Sequence, residues 1–213
     1  MIEFQEMVHE VMFWAEGLTA VISLLYYNRI KNQYWKYFVY YLIFIFLAEA
    51  LGKWGTDFNK TAFYNYLVIP TQFIFFYWLY AAKSFHRPKL FIGLSLLYIL
   101  SFIPSELFFP SARKIMYSLN YTFGCLILMI LVVMEYYKQI NSSNILAFDK
   151  NKMFYINLGV TLFYIGTLPF WSFFELLKTY REVYNIYYAS FLVTGVVMYA
   201  LFSISFIWGK QNS

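Results

Sequence analysis

Charge is scarce in this chain. Only 13% of its 213 residues are charged, about half of the roughly 25% found in soluble domains. A water-facing globular surface is therefore excluded over most of its length. Cys125 is the single cysteine, so no intramolecular disulfide can form; within an apolar stretch it reads as a small packing residue. Histidine is limited to His9, expected at the outer end of the first span, and His86, expected in a cytoplasmic connection; from opposite faces they cannot share a metal, and this excludes a His-rich zinc hydrolase. The GxSxG, HExxH and P-loop patterns are missing. The last apolar stretch contains no lysine, which excludes a retinal Schiff base there. No cofactor and no metal is expected. The first ten residues, MIEFQEMVHE, hold three glutamates and no lysine or arginine. A cleavable signal peptide needs a basic start, so the first apolar stretch is expected to remain as a permanent span.

What the chain has in abundance is apolar surface: 62% hydrophobic residues, 25% of all residues being aromatic. Seven stretches approach the ~20 residues needed to cross a bilayer. They run from about Val8 to Asn28, Tyr37 to Trp54, Thr61 to Ala82, Leu90 to Leu107, Ile115 to Met134, Met153 to Phe174 and Val183 to Gly209. With their short connections they use up the sequence. The expected fold is all-α: a single domain over 1–213, a polytopic membrane protein folded as a seven-transmembrane-helix bundle. No internal repeat appears, and Pro70, Pro104 and Pro169 are not matched as two triple-helix halves would require.

The net charge of +5 is read as an orientation signal, with no nucleic-acid binding expected, because no basic run is long enough for it. Ten of the 16 lysines and arginines fall in alternate connections and the tail: Arg29, Lys31, Lys36, Lys83, Arg87, Lys89, Lys138, Lys150, Lys152 and Lys210. The opposite side carries Lys53, Lys60, Arg113, Lys114, Lys178 and Arg181. The excess places the N-terminus outside and the C-terminus in the cytoplasm.

Two glutamates interrupt the spans. A charge deep in a bilayer costs on the order of 2.5–3.5 kcal/mol on insertion scales and usually faces a protein interior or a wet cavity. Glu16 lies roughly 12 Å, and Glu49 roughly 7 Å, inside the outer ends of spans 1 and 2 at 1.5 Å per residue. On adjacent helices they can meet, which suits proton sharing, cation binding or recognition of a ligand amine. The alternative is a structural role, and Lys53, four residues after Glu49, is placed to pair with it. Asn65, Asn120, Thr167 and Asn185 lie at similar depth, with Gln72 near mid-membrane. Together they suggest a ligand-binding cavity open to the outside and lined by Tyr, Phe and Trp, with Glu106, Glu175, Lys178 and Arg181 at its rim. For any one amide, interhelical hydrogen bonding is the plainer account. Interfacial belts and packing come first for the aromatics, and Ala48/Gly52 and Ser190/Thr194 are small pairs suited to close helix contact.

The segments LLYYNRIKNQYWKYFVYYLIFIFLAE, YNYLVIPTQFIFFYWLY, FYINLGVTLFYIGTLPFW and YYASFLVTGVVMYALFSISFIW resemble a group of small, uncharacterised seven-helix bacterial inner-membrane proteins. Such proteins are often encoded beside two-component sensor kinases. The resemblance implies a multi-pass protein of the bacterial inner membrane with a signalling or accessory role; it supplies no catalytic residues. The expected function is a membrane sensor or accessory signalling protein whose outward pocket takes a small molecule or lipid and which acts through a cytoplasmic or membrane partner. A proton-coupled transporter or channel, an intramembrane enzyme using the paired glutamates, and a structural subunit of a membrane complex are the alternatives.

Overall fold

The computed structural model describes residues 2–108, 118–142 and 149–209. Among them every regular element is a helix: α1 (Ile2–Leu25), α2 (Tyr27–Ile30), α3 (Lys36–Trp54), α4 (Lys60–Phe63), α5 (Ile69–Tyr77), α6 (Pro88–Leu100), α7 (Phe102–Phe108), α8 (Ser118–Ile140), α9 (Lys152–Val160), α10 (Leu168–Ser172), α11 (Phe174–Thr179) and α12 (Arg181–Ile207). Wider π-helical turns at Tyr64–Val68, Trp78–Ser84 and Thr161–Ile165 join several of these into longer rods. Five helices are long and apolar enough to cross a membrane: Phe4–Leu25, Lys36–Trp54, Leu119–Ile140, Lys152–Ser172 and Arg181–Ile207. Pro88–Pro104 is a shorter apolar helix. The run 60–84 is helical throughout, but tyrosines, Asn65 and Gln72 dilute its apolar character. The molecule is an all-helical chain with the make-up of a membrane protein.

Helix starts follow ordinary capping chemistry. Asn59 accepts the Ala62 N–H at 3.0 Å and Asn151 accepts the Met153 N–H at 3.0 Å, satisfying donors that would otherwise be orphaned at the first turns of α4 and α9. Pro88 opens α6, where its missing N–H is not needed.

The three mid-span prolines account for two of the three π turns and for one helix break. A proline in a helix leaves the carbonyl four residues earlier without its partner and crowds it. Pro70 bears on Tyr66, inside the first π turn, and Pro169 on Ile165, inside the third. In both turns the bonding shifts to five residues, Ile69 N–H to Tyr64 O and Gly166 N–H to Thr161 O, a common way to absorb such a defect. Pro104 bears on Leu100, where α6 stops at a turn through Ser101.

α1 packs along α12 and α3, and α12 along α9. Where α1 meets α12, Gly195 admits the Met12 thioether: a β-carbon there would lie 2.8 Å from Met12 Sδ. Gly195, not the exposed Ser190, is the close-contact position on this helix. Nearby, Thr19 Oγ1 lies 2.9 Å from Ser203 Oγ and donates to the Tyr199 carbonyl at 3.0 Å. Apolar helix faces gain little from each other in lipid, so close packing and such bonds must hold the helices together.

Aromatics supply much of that packing. Phe38 contacts Phe202 (5.1 Å), Phe206 (5.6 Å) and Phe75 (5.7 Å) between ring centroids, and Tyr41 stacks on Phe75 at 4.1 Å. Tyr77, Tyr80, Tyr98 and Tyr164 are fully buried, so these tyrosines are core residues and not interfacial anchors. Cys125 is buried within the same core, as a packing residue should be.

Candidate functional site

The middle of α1 and the C-terminal end of α3 enclose the site. Residues His9, Met12, Phe13 and Glu16 recur at intervals of three to four, and so share a face of α1. Glu49, Gly52 and Lys53 do the same on α3. Between these faces, closed by Tyr64 from the first π turn, is a cavity of about 140 Å³ lined by all eight residues. Glu16 and Glu49 therefore meet in one space.

The two carboxylates are held differently. Glu49 is half-buried and accepts a hydrogen bond from the Tyr64 hydroxyl at 2.8 Å. Glu16 is only 3% exposed, and its Oε2 accepts no hydrogen bond. The Tyr199 hydroxyl faces the same carboxyl from α12. A buried polar atom left without a partner is costly, which makes it the group most in need of a donor from a bound molecule.

Lys53 does not serve as that donor. The spacing pointed to a Glu49–Lys53 pair, but the Lys53 ammonium lies 2.6 Å from both carboxylate oxygens of Glu10 on α1 and 4.5 Å from the Phe13 ring centroid. The reason is exposure. Glu10 is 52% and Lys53 26% exposed, so this pair forms without the desolvation that pairing with deeper Glu49 would exact. The cavity keeps two acidic groups, and the one ammonium in its lining, Lys53, is engaged with Glu10. Among the described residues no group of three His, Cys, Asp or Glu could hold a metal ion.

Gly52 is the third requirement. A β-carbon at that position would lie 2.1 Å from Tyr64 Oη, so only glycine lets the phenol reach Glu49.

The other polar residues anticipated for this pocket lie elsewhere. Asn65 is buried in the first π turn and Asn120 in α8, each with interactions of its own. Gln72 accepts a bond from Tyr164 at 3.3 Å. Thr167 is buried and donates to the Phe163 carbonyl at 2.5 Å. Asn185 accepts Gln5 Nε2 through its backbone oxygen at 3.2 Å and its Oδ1 at 3.4 Å, tying α12 to the start of α1. Lys178 lies over the Phe174 ring at 4.4 Å and Arg181 is exposed; neither borders the cavity. The side chains of Glu106 and Glu175 fall outside the described residues.

A second buried acid escaped the sequence reading. The apolar stretch ends at Met134, one residue before Glu135, yet α8 continues to Ile140 and Glu135 is only 2% exposed. It accepts bonds from Ser84 Oγ and from Gln139 Nε2 at 2.9 Å. Lys138 donates to Ser84 O and Oγ at 2.8 and 2.9 Å. Burial, and then the charge of Glu135, pushes the phenol of Tyr34 in the α2–α3 connection up to about 12. The signal was present: Gln139 and Lys138 fall four and three residues after Glu135, on one helical face.

No known protein family, curated protein or solved structure matches the chain.

Proposed function

We propose that this is a membrane sensor or accessory signalling protein, a seven-span bundle of the bacterial inner membrane with its N-terminus outside and its C-terminus in the cytoplasm. Its outward cavity binds a small organic cation, most simply a primary amine. The observation that carries this reading is the shared cavity: two carboxylates from different helices, one of them with a buried oxygen lacking any hydrogen-bond partner. A cavity of about 150 Å³ admits a molecule the size of benzene, so a 140 Å³ space suits a ligand of about six heavy atoms. An ammonium there supplies the donor Glu16 lacks and the charge both acids call for. Because Glu49 is bonded to Tyr64 in a π turn ahead of Pro70, a ligand that draws Glu49 away acts directly on the helical run 60–84. That run is the element whose shift a cytoplasmic or membrane partner would read.

The test is thermal unfolding of the detergent-solubilised protein with a series of primary ammonium ions from methylammonium to butylammonium. One member should raise the unfolding temperature saturably. Glu16→Gln and Glu49→Gln should each weaken that stabilisation about tenfold, the loss of one charge-assisted hydrogen bond. Equal stabilisation of wild type and both variants would sink the assignment.

A proton-coupled transporter is the second reading, and a particular set of contacts favours it. Polar groups continue inward from Gln72: Tyr80 donates to Asn157 at 2.8 Å, Asn157 O accepts from Thr161 at 2.7 Å, and Tyr136 lies 3.0 Å from Thr161. Proton flux in proteoliposomes that Glu16→Gln and Asn157→Leu both abolish would select it over the sensor.

A further inference from the structure

A second recess lies on the outer surface of the helices, well away from the paired glutamates. It is a groove of about 450 Å³ between α3 and the run 60–84. Tyr37 and Phe44 line it from α3, a face seven residues long; Thr71, Phe75 and Trp78 line it from the opposite helix, and Lys83 closes one end. Its walls are unlike a generic lipid-facing surface in their order. Lys36 Nζ lies 5.2 Å from the Tyr37 ring, Tyr37 meets Trp78 edge-to-face at 5.4 Å, and Lys83 Nζ lies 5.2 Å from the Trp78 ring. Two ammonium groups thus flank an aromatic pair, Lys83 within the groove's lining and Lys36 beside its lining neighbour Tyr37, each lying over its ring.

The two lysines belong to the basic end of the molecule, with Arg29 and Lys31 before them and Arg87 and Lys89 after. Stretches 26–48 and 71–89 contain no aspartate or glutamate. The acid bonded to Ser84, Glu135, is buried and already accepts two hydrogen bonds. Among the described residues, neither lysine forms an ion pair with an acid. From Lys83 to Thr71 is twelve residues, or about 18 Å of helix, close to the depth of one leaflet, half of the ~30 Å hydrocarbon core. The groove has the length of an acyl chain and the charge of a headgroup site at its interfacial end.

We infer that this groove binds one anionic phospholipid from the leaflet at the basic face. The phosphate sits between Lys36 and Lys83, and an acyl chain lies along Phe75 towards Thr71 and Phe44. Basic recesses between membrane helices are a recurring way to hold such headgroups. The proposal needs only the membrane setting and stands apart from the amine cavity.

The experiment is native mass spectrometry of the full chain in detergent, titrated with phosphatidylglycerol or phosphatidylcholine of identical acyl chains. Phosphatidylglycerol should bind at least about tenfold tighter. Lys36→Gln and Lys83→Gln should each weaken it about fivefold, while Lys89→Gln, on the same face but off the groove, leaves it unchanged. Thr71→Trp, which fills the deep end without altering charge, should also reduce binding, and it serves if the lysine variants do not fold. Glycerol 3-phosphate in large excess should not compete. Equal affinity for the two lipids, an equal loss in Lys89→Gln, or competition by glycerol 3-phosphate overturns the site, the last by revealing a soluble-anion site instead.

Discussion

A methyl group at position 52 would lie 2.1 Å from the Tyr64 hydroxyl. Gly52→Ala must therefore push the phenol off Glu49, at the usual cost of overpacking, about 1–3 kcal/mol. Tyr64→Phe removes the same hydrogen bond without the clash. Because both changes break one interaction, their effects on unfolding temperature should fall well short of additive in the double variant, and additivity would separate Gly52 from the site. At this scale the sequence was informative about the acids and silent about their partners. Glu16 and Glu49 stand out because carboxylates are rare in apolar runs. Tyr64 does not stand out among 22 tyrosines, and its bond to Glu49 exists only because two separate helices bring them together. Lys53 misled for a related reason: i,i+4 spacing permits a pair, but a more exposed acid on the neighbouring helix took it.

The first π turn decides which way Tyr64 points. Replacing Pro70 by alanine restores the N–H that residue 66 lacks as a partner. The turn can then relax to α geometry, removing one residue of offset, and one residue is about 100° of rotation. Pro70→Ala should leave the protein as stable as the wild type or more so, yet lose most amine-induced stabilisation, because Tyr64 swings away from Glu49. Unchanged ligand response at unchanged stability would show that the turn is incidental to the site. Prolines were visible as places where the backbone must give. How it gives was not visible, since a kink, a stop and a π turn all answer the same missing bond. Pro104 takes the second course and Pro70 and Pro169 the third. Helix bounds expected near Thr61, Leu90 and Met153 fall within two residues of the observed starts at Lys60, Pro88 and Lys152. They were misread at Met134, where the first charge was taken for water and Glu135 instead turned inward.

Across the whole molecule, the proposed sidedness of the bundle rests on its cations. Asp57, between α3 and α4, and Asn32, between α2 and α3, are both exposed and lie at opposite ends of α3. With Cys125 buried in the core, single cysteines at these positions report topology directly. In intact cells an impermeant maleimide should label Asp57→Cys, and should label Asn32→Cys only after permeabilisation; the reverse pattern inverts the proposed orientation and turns the acidic cavity towards the cytoplasm. The helical, membrane-type character was plain from composition alone. The grouping of polar residues was not, because depth along a helix says nothing about which way a side chain faces. Glu16 and Glu49 shared a cavity, whereas Asn65, Asn120, Thr167 and Asn185 at comparable depth were drawn into separate contacts.

The Glu10–Lys53 pair joins α1 to α3 where the cavity nears solvent. Exposed ion pairs contribute about 1 kcal/mol at most, so thermal motion breaks this one often, roughly one part in six of the time at that strength. Salt shortens the reach of such charges to about 8 Å at physiological ionic strength and weakens the pair further. The fastening beside the two carboxylates is thus a weak one, and it loosens as the surrounding medium becomes more saline.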